Sequence, residues 1–270
     1  TLSSSSAASD VYKRQVLDYH GYTELKIKKE NVGPSIRHKL AFDNPYYKHT
    51  DFAYDLTSTT RRKFYALYTG KEDEEDKEMI RNIFNGSLDK LPPSLRDDIV
   101  DRFYHGNYDK VGGTNKNNMY GELIQLLIIS SSGAEGIDLK NVRFVHIMEP
   151  YWHPVRIEQV VGRARRICSH KDLPPSEQTV KVFMYLLIHN KMLLSGDYGS
   201  QFTGLKQVQD FDSKLKRAIS TDERLYNIMM NKKVVMEEFL SCLKTTAIDC
   251  RVNYEDKSKC FSFKFKPPRI

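Results

Sequence analysis

The sequence predicts an α/β protein with a mostly parallel sheet covered by helices on both faces. Three observations predict it. Apolar runs at residues 63–68, 126–129, 142–148 and 180–188 alternate with amphipathic segments, the order that builds a covered parallel sheet. A small-residue turn at 133–136 directly follows one run and leads to Asp138, as a strand end carrying a site would. The 270 residues, 40% of them hydrophobic, are enough for one large domain or a domain with an appendage.

In chain order, residues 16–22 read as the end of a helix stopped by Gly21, and 24–28 alternate polar and apolar like a short strand. Residues 29–60 are polar, aromatic and irregular, with Pro34 and Pro45, and read as a loop or insertion. KFYALY at 63–68 is a buried-strand candidate ending at Thr69–Gly70. Residues 71–85 form a helix with Met79, Ile80, Ile83 and Phe84 on one face; the acidic run 72–75 sits in its first turn and complements the helix dipole. Residues 86–120, with Pro92, Pro93 and GGTNKNN, read as loop-rich. Strands near 125–130 and 142–148, a helix at 154–167 and, after the Pro174–Pro175 turn, a strand at 180–188 complete the pattern. Beyond Gly204 the chain becomes helix-rich over 205–245, with Asp222 expected as a cap, and CFSFKFK at 260–266 alternates like an edge strand. No internal repeat is visible.

The first fifteen residues, TLSSSSAASDVYKRQ, resemble translated adaptor sequence and are set aside from fold reasoning, which makes the chain a fragment on this reading. The formal charge of +7 and a pI near 9.0 permit an acidic partner such as nucleic acid, although many basic proteins bind none. Four cysteines without CxxC spacing argue against a disulfide framework or zinc site, and reduced thiols in an intracellular protein are expected, Cys250 and Cys260 included. No apolar run reaches membrane-span length.

Residues 133–166, GAEGIDLKNVRFVHIMEPYWHPVRIEQVVGRARR, carry the functional signal. Glycines let a backbone approach phosphate, and arginines offer fixed forks of donors to phosphate oxygens. At these residues the chain resembles the C-terminal RecA-like domain of superfamily 2 helicases and translocases. GAEGIDL stands at that family's motif V and QVVGRARR at its motif VI, with EPYWHP between them similar to the WNP-type segment of the chromatin-remodelling branch. EPYWHPVRIEQVVGRARRICSH followed by LPP most resembles helicase-like ATPases of nucleocytoplasmic large DNA viruses, the relatives of the poxvirus early-transcription-factor helicase subunit and nucleoside triphosphatase I. The likeness runs over about 16–260, and the YTG turn with its acidic helix start matches the segment before motif V. It implies a RecA-like three-layer sandwich over 16–204, followed by a helical extension and basic tail at 205–270.

Carried over residue by residue, the resemblance makes Arg163 and Arg166 the catalytic pair, facing a triphosphate on another lobe with one as arginine finger. Such a finger contributes roughly 10³–10⁵ in rate. Three positions apart on a helix, the two would share a face. Gly136, Asp138, Gln159 and Gly162 are the implied nucleotide-binding residues: Asp138 toward the ribose or a motif VI arginine, Gln159 orienting nucleotide or coupling it to nucleic acid, Gly162 allowing close packing. Tyr68, Thr69, Gly70, Ser131, Ser132 and Gly133 are the implied nucleic-acid contacts. Glu135 departs from the Arg or Thr common at its place. Arg165 reads as exposed structure, the single Trp152 as core before stacking platform, and His153 and His170 as hydrogen-bonding structure rather than metal ligands.

No GxxxxGK[ST] and no strand ending in DExH or DEAD occurs in the sequence. The family places these elements, which hold ATP and Mg2+, on its N-terminal lobe, so this polypeptide alone is not expected to hydrolyse ATP. The implied partners are that N-terminal RecA-like lobe, DNA or RNA bound through phosphates without sequence preference, and a viral-type RNA polymerase; no membrane is implied. The basic tail residues Lys257, Lys259, Lys264, Lys266 and Arg269 either add to nucleic-acid contact or merely solubilise the chain end. The competing reading is a non-catalytic helicase-like module that binds nucleic acid or a transcription partner.

Overall fold

The computed structural model describes residues 12–43, 63–104, 118–130, 136–188, 211–212, 217–247, 249–253 and 260–261. They form two compact units, one made of Thr1–Arg143 with Gly162–Lys181 and the other of Phe144–Val161 with Val182–Ile270.

The first unit is the expected α/β layer structure. Helix α1 (12–19) ends at Gly21, whose φ of 81° is the left-handed conformation that glycine adopts without strain. Strands β1 (Tyr22–Val32), β2 (Ser35–Asp43), β3 (Lys63–Tyr68) and β4 (Leu126–Ile129) form one sheet in the order β2-β1-β3-β4. β1 pairs antiparallel with β2; β1–β3 and β3–β4 are parallel. Helices α2 (Glu74–Phe84) and α3 (Pro93–Tyr104) lie on one face, where Leu25, Leu40, Phe64, Ile80, Ile83, Leu95, Ile99 and Phe103 make a single core. Phe64 sits at its centre, with ring centroids 5.1 Å from Phe42 and 5.9 Å from Phe103. On the other face the Tyr65 hydroxyl donates to Asp18 of α1 at 2.9 Å, and Arg14 pairs with the buried Glu24. Burial raises the Glu24 pKa above the usual carboxylate range, against the opposing pull of Lys26 and Arg14. Three layers follow from this: α1, sheet, α2 with α3.

Two expectations need correcting in this unit. Residues 29–43 are not loop but the distal half of a long hairpin, turned at Gly33 (φ 63°). Its outer edge is closed by α3, where the Ser94 hydroxyl and the Asp98 carboxylate accept the His38 and Leu40 N–H groups at 3.1 and 2.8 Å. Residues 86–104 likewise fold, into a 3-10 turn (Leu88–Lys90) and α3, because Pro93 takes the first helical position, where a missing N–H costs nothing. Asn118, at φ 62°, receives the Leu123 and Ile124 N–H groups and donates to Phe84 O at 2.7 Å, fixing the lead-in to β4.

In the second unit β5 (Phe144–Ile147) and β6 (Lys181–Met184) form a two-stranded sheet. The Lys181 N–H bonds Arg143 O and the Tyr185 N–H bonds Ile147 O, so the strands advance in the same direction. Short strands β7 (Phe211–Asp212) and β8 (Arg217–Ala218) pair antiparallel inside the segment expected to be helical. Helix α5 (Thr221–Thr246) follows, capped not by Asp222 but by Ser220, whose Oγ accepts the Glu223 N–H while the Glu223 carboxylate accepts the Ser220 N–H. Asp222 instead receives the Leu187 N–H at 2.9 Å. The short helix α6 (Cys250–Asn253) ends the regular structure.

The expectation of four reduced thiols is wrong for one pair. Cys250 and Cys260 are joined by a disulfide, their Cα atoms 5.8 Å apart. The Phe261 N–H bonds Thr245 O, which brings the chain back past the end of α5 and places Cys260 beside α6. Cys168 and Cys242 are free and exposed. Trp152, expected in the core, is 44% exposed with the Lys232 ammonium 3.7 Å from its ring centroid. The strand expected at 260–266 shows no strand at Cys260 and Phe261; its remaining residues, and the tail lysines with Arg269, lie outside the described ones. Among the described residues no helix is long and apolar enough to cross a membrane.

Candidate functional site

The site is built where the chain leaves β4 and returns after the arginine helix. Gly136 adopts φ 74°, and from there the chain is extended: Ile137 and Leu139 are buried against Tyr68, while Asp138 and Lys140 alternate outward. Asn85, just past the end of α2, holds this segment at two points. Its Nδ2 donates to Asp138 O and its Oδ1 accepts the Lys140 N–H, both at 2.8 Å. The Asp138 carboxylate therefore projects from a backbone pinned at its own carbonyl and at Lys140.

Helix α4 (Pro154–Ala164) starts with proline at its first position, and His153 Nδ1 accepts the Val155 N–H at 3.3 Å. It is shorter than the 154–167 expected. Cys168 at φ 61° and the Ser169 N–H on Arg166 O turn the chain out of the helix, and Ser169 Oγ donates back to Ala164 O. Arg163 thus lies in the last helical turn and Arg166 two residues past the helix end, so helical spacing does not put the two on one face. What positions Arg166 is the turn. The Asn141 N–H bonds Ser169 O at 3.0 Å, and His170 bridges Val142 O and Ser169 Oγ at 2.7 Å each. This clamp brings an Arg166 guanidinium nitrogen to 3.5 Å from Asp138 Oδ1.

The Arg166–Asp138 pair is solvent-facing, with side chains 40% and 54% exposed, so it contributes about 0–1 kcal/mol to stability. Its consequence is orientation: it aims a guanidinium that an anion from outside can still reach. Arg163 is half-buried and has no ion-pair partner among the described residues. Gly162 is exposed, and a Cβ there would meet nothing within 4 Å. Gln159 is exposed on the part of α4 that belongs to the second unit.

The residues read as nucleic-acid contacts are placed unevenly. Tyr68 is buried with Ile137 and Leu139, Thr69 is buried with its N–H and hydroxyl donating to Glu72 at 2.6 and 2.7 Å, and Gly70 is exposed. Ser131, Ser132 and Gly133 lie outside the described residues. His153 and His170 are hydrogen-bonded structure, as read from the sequence. Asn85, Asn141 and Ser169 were missed as site builders. Asn85-Gly86 after an amphipathic run is a helix-stop signal, but that signal does not say which loop the asparagine would hold.

The chain is also similar to known proteins. The family model of the helicase conserved C-terminal domain matches residues 54–168, a span containing Asp138 and Arg166. The chain is 32% identical over 214 residues to the provisionally named ATP-dependent RNA helicase R350 of Acanthamoeba polyphaga mimivirus, covering 77% of this chain and 20% of that protein. It is 32% identical over 248 residues to the termination factor NPH-I homolog of African swine fever virus, covering 88% of this chain and 28% of that one. A second provisionally named mimivirus ATP-dependent RNA helicase, L538, is 46% identical over 72 residues, 27% of this chain and 16% of its own length. The chain therefore spans about a fifth to a quarter of the first two relatives' length. Residues 54–168 therefore match the helicase conserved C-terminal domain, and the layered, mostly parallel sheet agrees with the RecA-like α/β fold of superfamily 2 helicases.

Proposed function

We propose that this domain is the second lobe of an ATP-dependent helicase or translocase, with Arg163 and Arg166 presented to the triphosphate of ATP held on an N-terminal lobe. The observation that supports the reading most is the aimed, solvent-facing Arg166 beside Asp138. A guanidinium fixed there offers planar, permanently charged donors to phosphate oxygens. Bound ATP supplies the phosphoryl group; the chain's own residues orient and neutralise. Asp138 holds Arg166 in the lobe's resting arrangement and yields it to the triphosphate or meets the ribose itself. Gly136 sets the turn before Asp138, and Gln159 and Gly162 face the nucleotide from α4. Mg2+ is assigned, with ATP, to the N-terminal lobe.

Nucleic acid, DNA or RNA, is bound through phosphates by Gly70 and the 131–133 segment, without sequence preference. Tyr68 and Thr69 support that path from beneath, since both are buried. The lobe is assigned to 16–204 and the extension to 205–270, and a viral-type RNA polymerase is the further partner. The test is Arg166→Ala in the protein that joins this domain to its nucleotide-holding lobe. ATP turnover falls on the order of 10³-fold or more while the far-UV circular dichroism is unchanged. Undiminished turnover in the folded variant overturns the reading.

A further inference from the structure

β3 pairs with β1 only over Tyr22–Glu24, whereas β2 pairs with β1 from Glu24 to Val32. Past Glu24 the β1–β2 pair continues as a two-stranded ribbon without β3: Leu25, Ile27 and Leu40 still pack into the core, and residues 28–37 form its exposed tip. Its two faces differ in how their charge is treated. On the face toward α2, Lys29 is surrounded by Asp73, Glu75 and Asp76 at 3.7, 2.8 and 3.2 Å. On the opposite face Lys28 stands directly across from Lys39, and Arg37 across from Glu30. Glu30 binds Lys39 diagonally at 2.9 Å, and its carboxyl is held below the usual range by Lys39 first and by Arg37 and Lys28 beyond it. Lys28 and Arg37 have no ion-pair partner among the described residues. Glu30 is thus shared among three cations, while Asp43, bonded to Lys26, is a second carboxylate on that face that Lys28 reaches electrostatically.

Like charges directly opposite on a sheet destabilise it, a cost that folding alone gives no reason to keep. The ribbon's edge does not explain the arrangement either. Ser94 and Asp98 already accept the outward N–H groups of His38 and Leu40, so an added strand would find part of that edge taken. The free feature is the charged face.

We propose that the outward face of the β1–β2 ribbon, carried by Lys28, Arg37 and Lys39, docks the phosphodiester backbone of a nucleic-acid duplex. The ribbon's inner face packs toward α2 and α3 and its edge is held by α3, so the outward cations alone are left to meet phosphates. The inference rests on the nucleic-acid reading for its partner class, but it uses residues far along the chain from the motif turn and arginine helix. It gives the lobe a grip on duplex beside the strand it moves.

The test uses the 270-residue chain and the triple variant Lys28→Gln/Arg37→Gln/Lys39→Gln, with labelled DNA and RNA duplexes in anisotropy titrations across about 50–200 mM salt. Lys28 and Arg37 are exposed and Lys39 is half-buried in its pair with Glu30, and circular dichroism checks that the variant folds. Affinity falls on the order of tenfold or more, and the slope of log K against log salt flattens by about 0.9 for each phosphate that the variant no longer neutralises. The duplex showing the larger loss identifies DNA or RNA as the ligand. Unchanged affinity and slope on both duplexes overturn the ribbon proposal and leave the nucleic-acid reading standing. So does a loss confined to a polyglutamate competitor, which would mark an acidic protein partner. A wild-type chain that binds neither duplex nor single strand at low salt removes both.

Discussion

Both ends of the Asn85 carboxamide are engaged by the chain around Asp138, one accepting from Lys140 and one donating to the Asp138 carbonyl. The carboxamide carries its donor and its acceptor on two separate atoms, so Asn85→Ala leaves two backbone groups to solvent or unsatisfied. The expected cost is about 1–2 kcal/mol, because the site is exposed enough for water to replace part of what is lost. Hydrogen exchange should rise at the Lys140 amide and not at the Ile83 amide inside α2. Asn85→Asp separates the two bonds: it keeps an acceptor for Lys140 and puts a charge against a carbonyl. Protection at Lys140 in that variant, with the denaturation midpoint still lowered, is the expected pattern. Equal exchange in wild type and Asn85→Ala would remove Asn85 as the anchor of the Asp138 segment. Arg166 is legible from the sequence through its motif; its anchor is not, since the bond joins positions 53 apart that no local pattern links.

At the scale of elements, helix α5 shows what local rules do and do not reveal. Ser-Thr-Asp-Glu at 220–223 contains both a capping box and a plausible single cap, and the box prevails because Ser220 and Glu223 satisfy two N–H groups reciprocally. Ser220 also donates to Leu187 O, so its hydroxyl joins the helix start to the segment after β6. Ser220→Ala should cost about 1–2 kcal/mol and lower the helical signal near the start of α5, read by denaturation and by exchange at the Glu223 amide. Ser220→Asp, which keeps the cap but repels the Leu187 carbonyl, should recover the helix signal without the full stability; no difference between the two would refute the double role. Elsewhere the reasons for success and failure are physical. β3 is readable because a central parallel strand is buried on both faces, and KFYALY is apolar throughout its middle. β2 is not, because its outer half is polar on both sides and its edge is closed by Ser94 and Asp98, 56 and 58 positions from the residues they bind. Pro92–Pro93 looks like a break in the chain and is a helix start.

At the scale of the molecule, the first unit closes a core around Phe64, while the second is tied down by other means. Helix α5 leaves Val234, Val235, Phe239, Leu240 and Leu243 exposed and buries Met229. A helix with so little apolar burial gains less from packing, and constraint has to come from elsewhere. The Cys250–Cys260 disulfide supplies it by closing a loop of ten residues beside the end of α5. Cross-linking a loop of that length removes unfolded-state entropy worth about 2–3 kcal/mol. Cys250→Ser with Cys260→Ser should therefore raise exchange through 242–253 and leave the Phe64, Ile99 and Leu123 amides of the first unit unchanged. Adding dithiothreitol to the wild type should reproduce that pattern, and adding it to the double variant should do nothing further. Should the reduced wild type exchange like the oxidised one across 242–253, the bridge would not be what restrains the end of α5, and the Phe261–Thr245 hydrogen bond would have to hold that turn unaided.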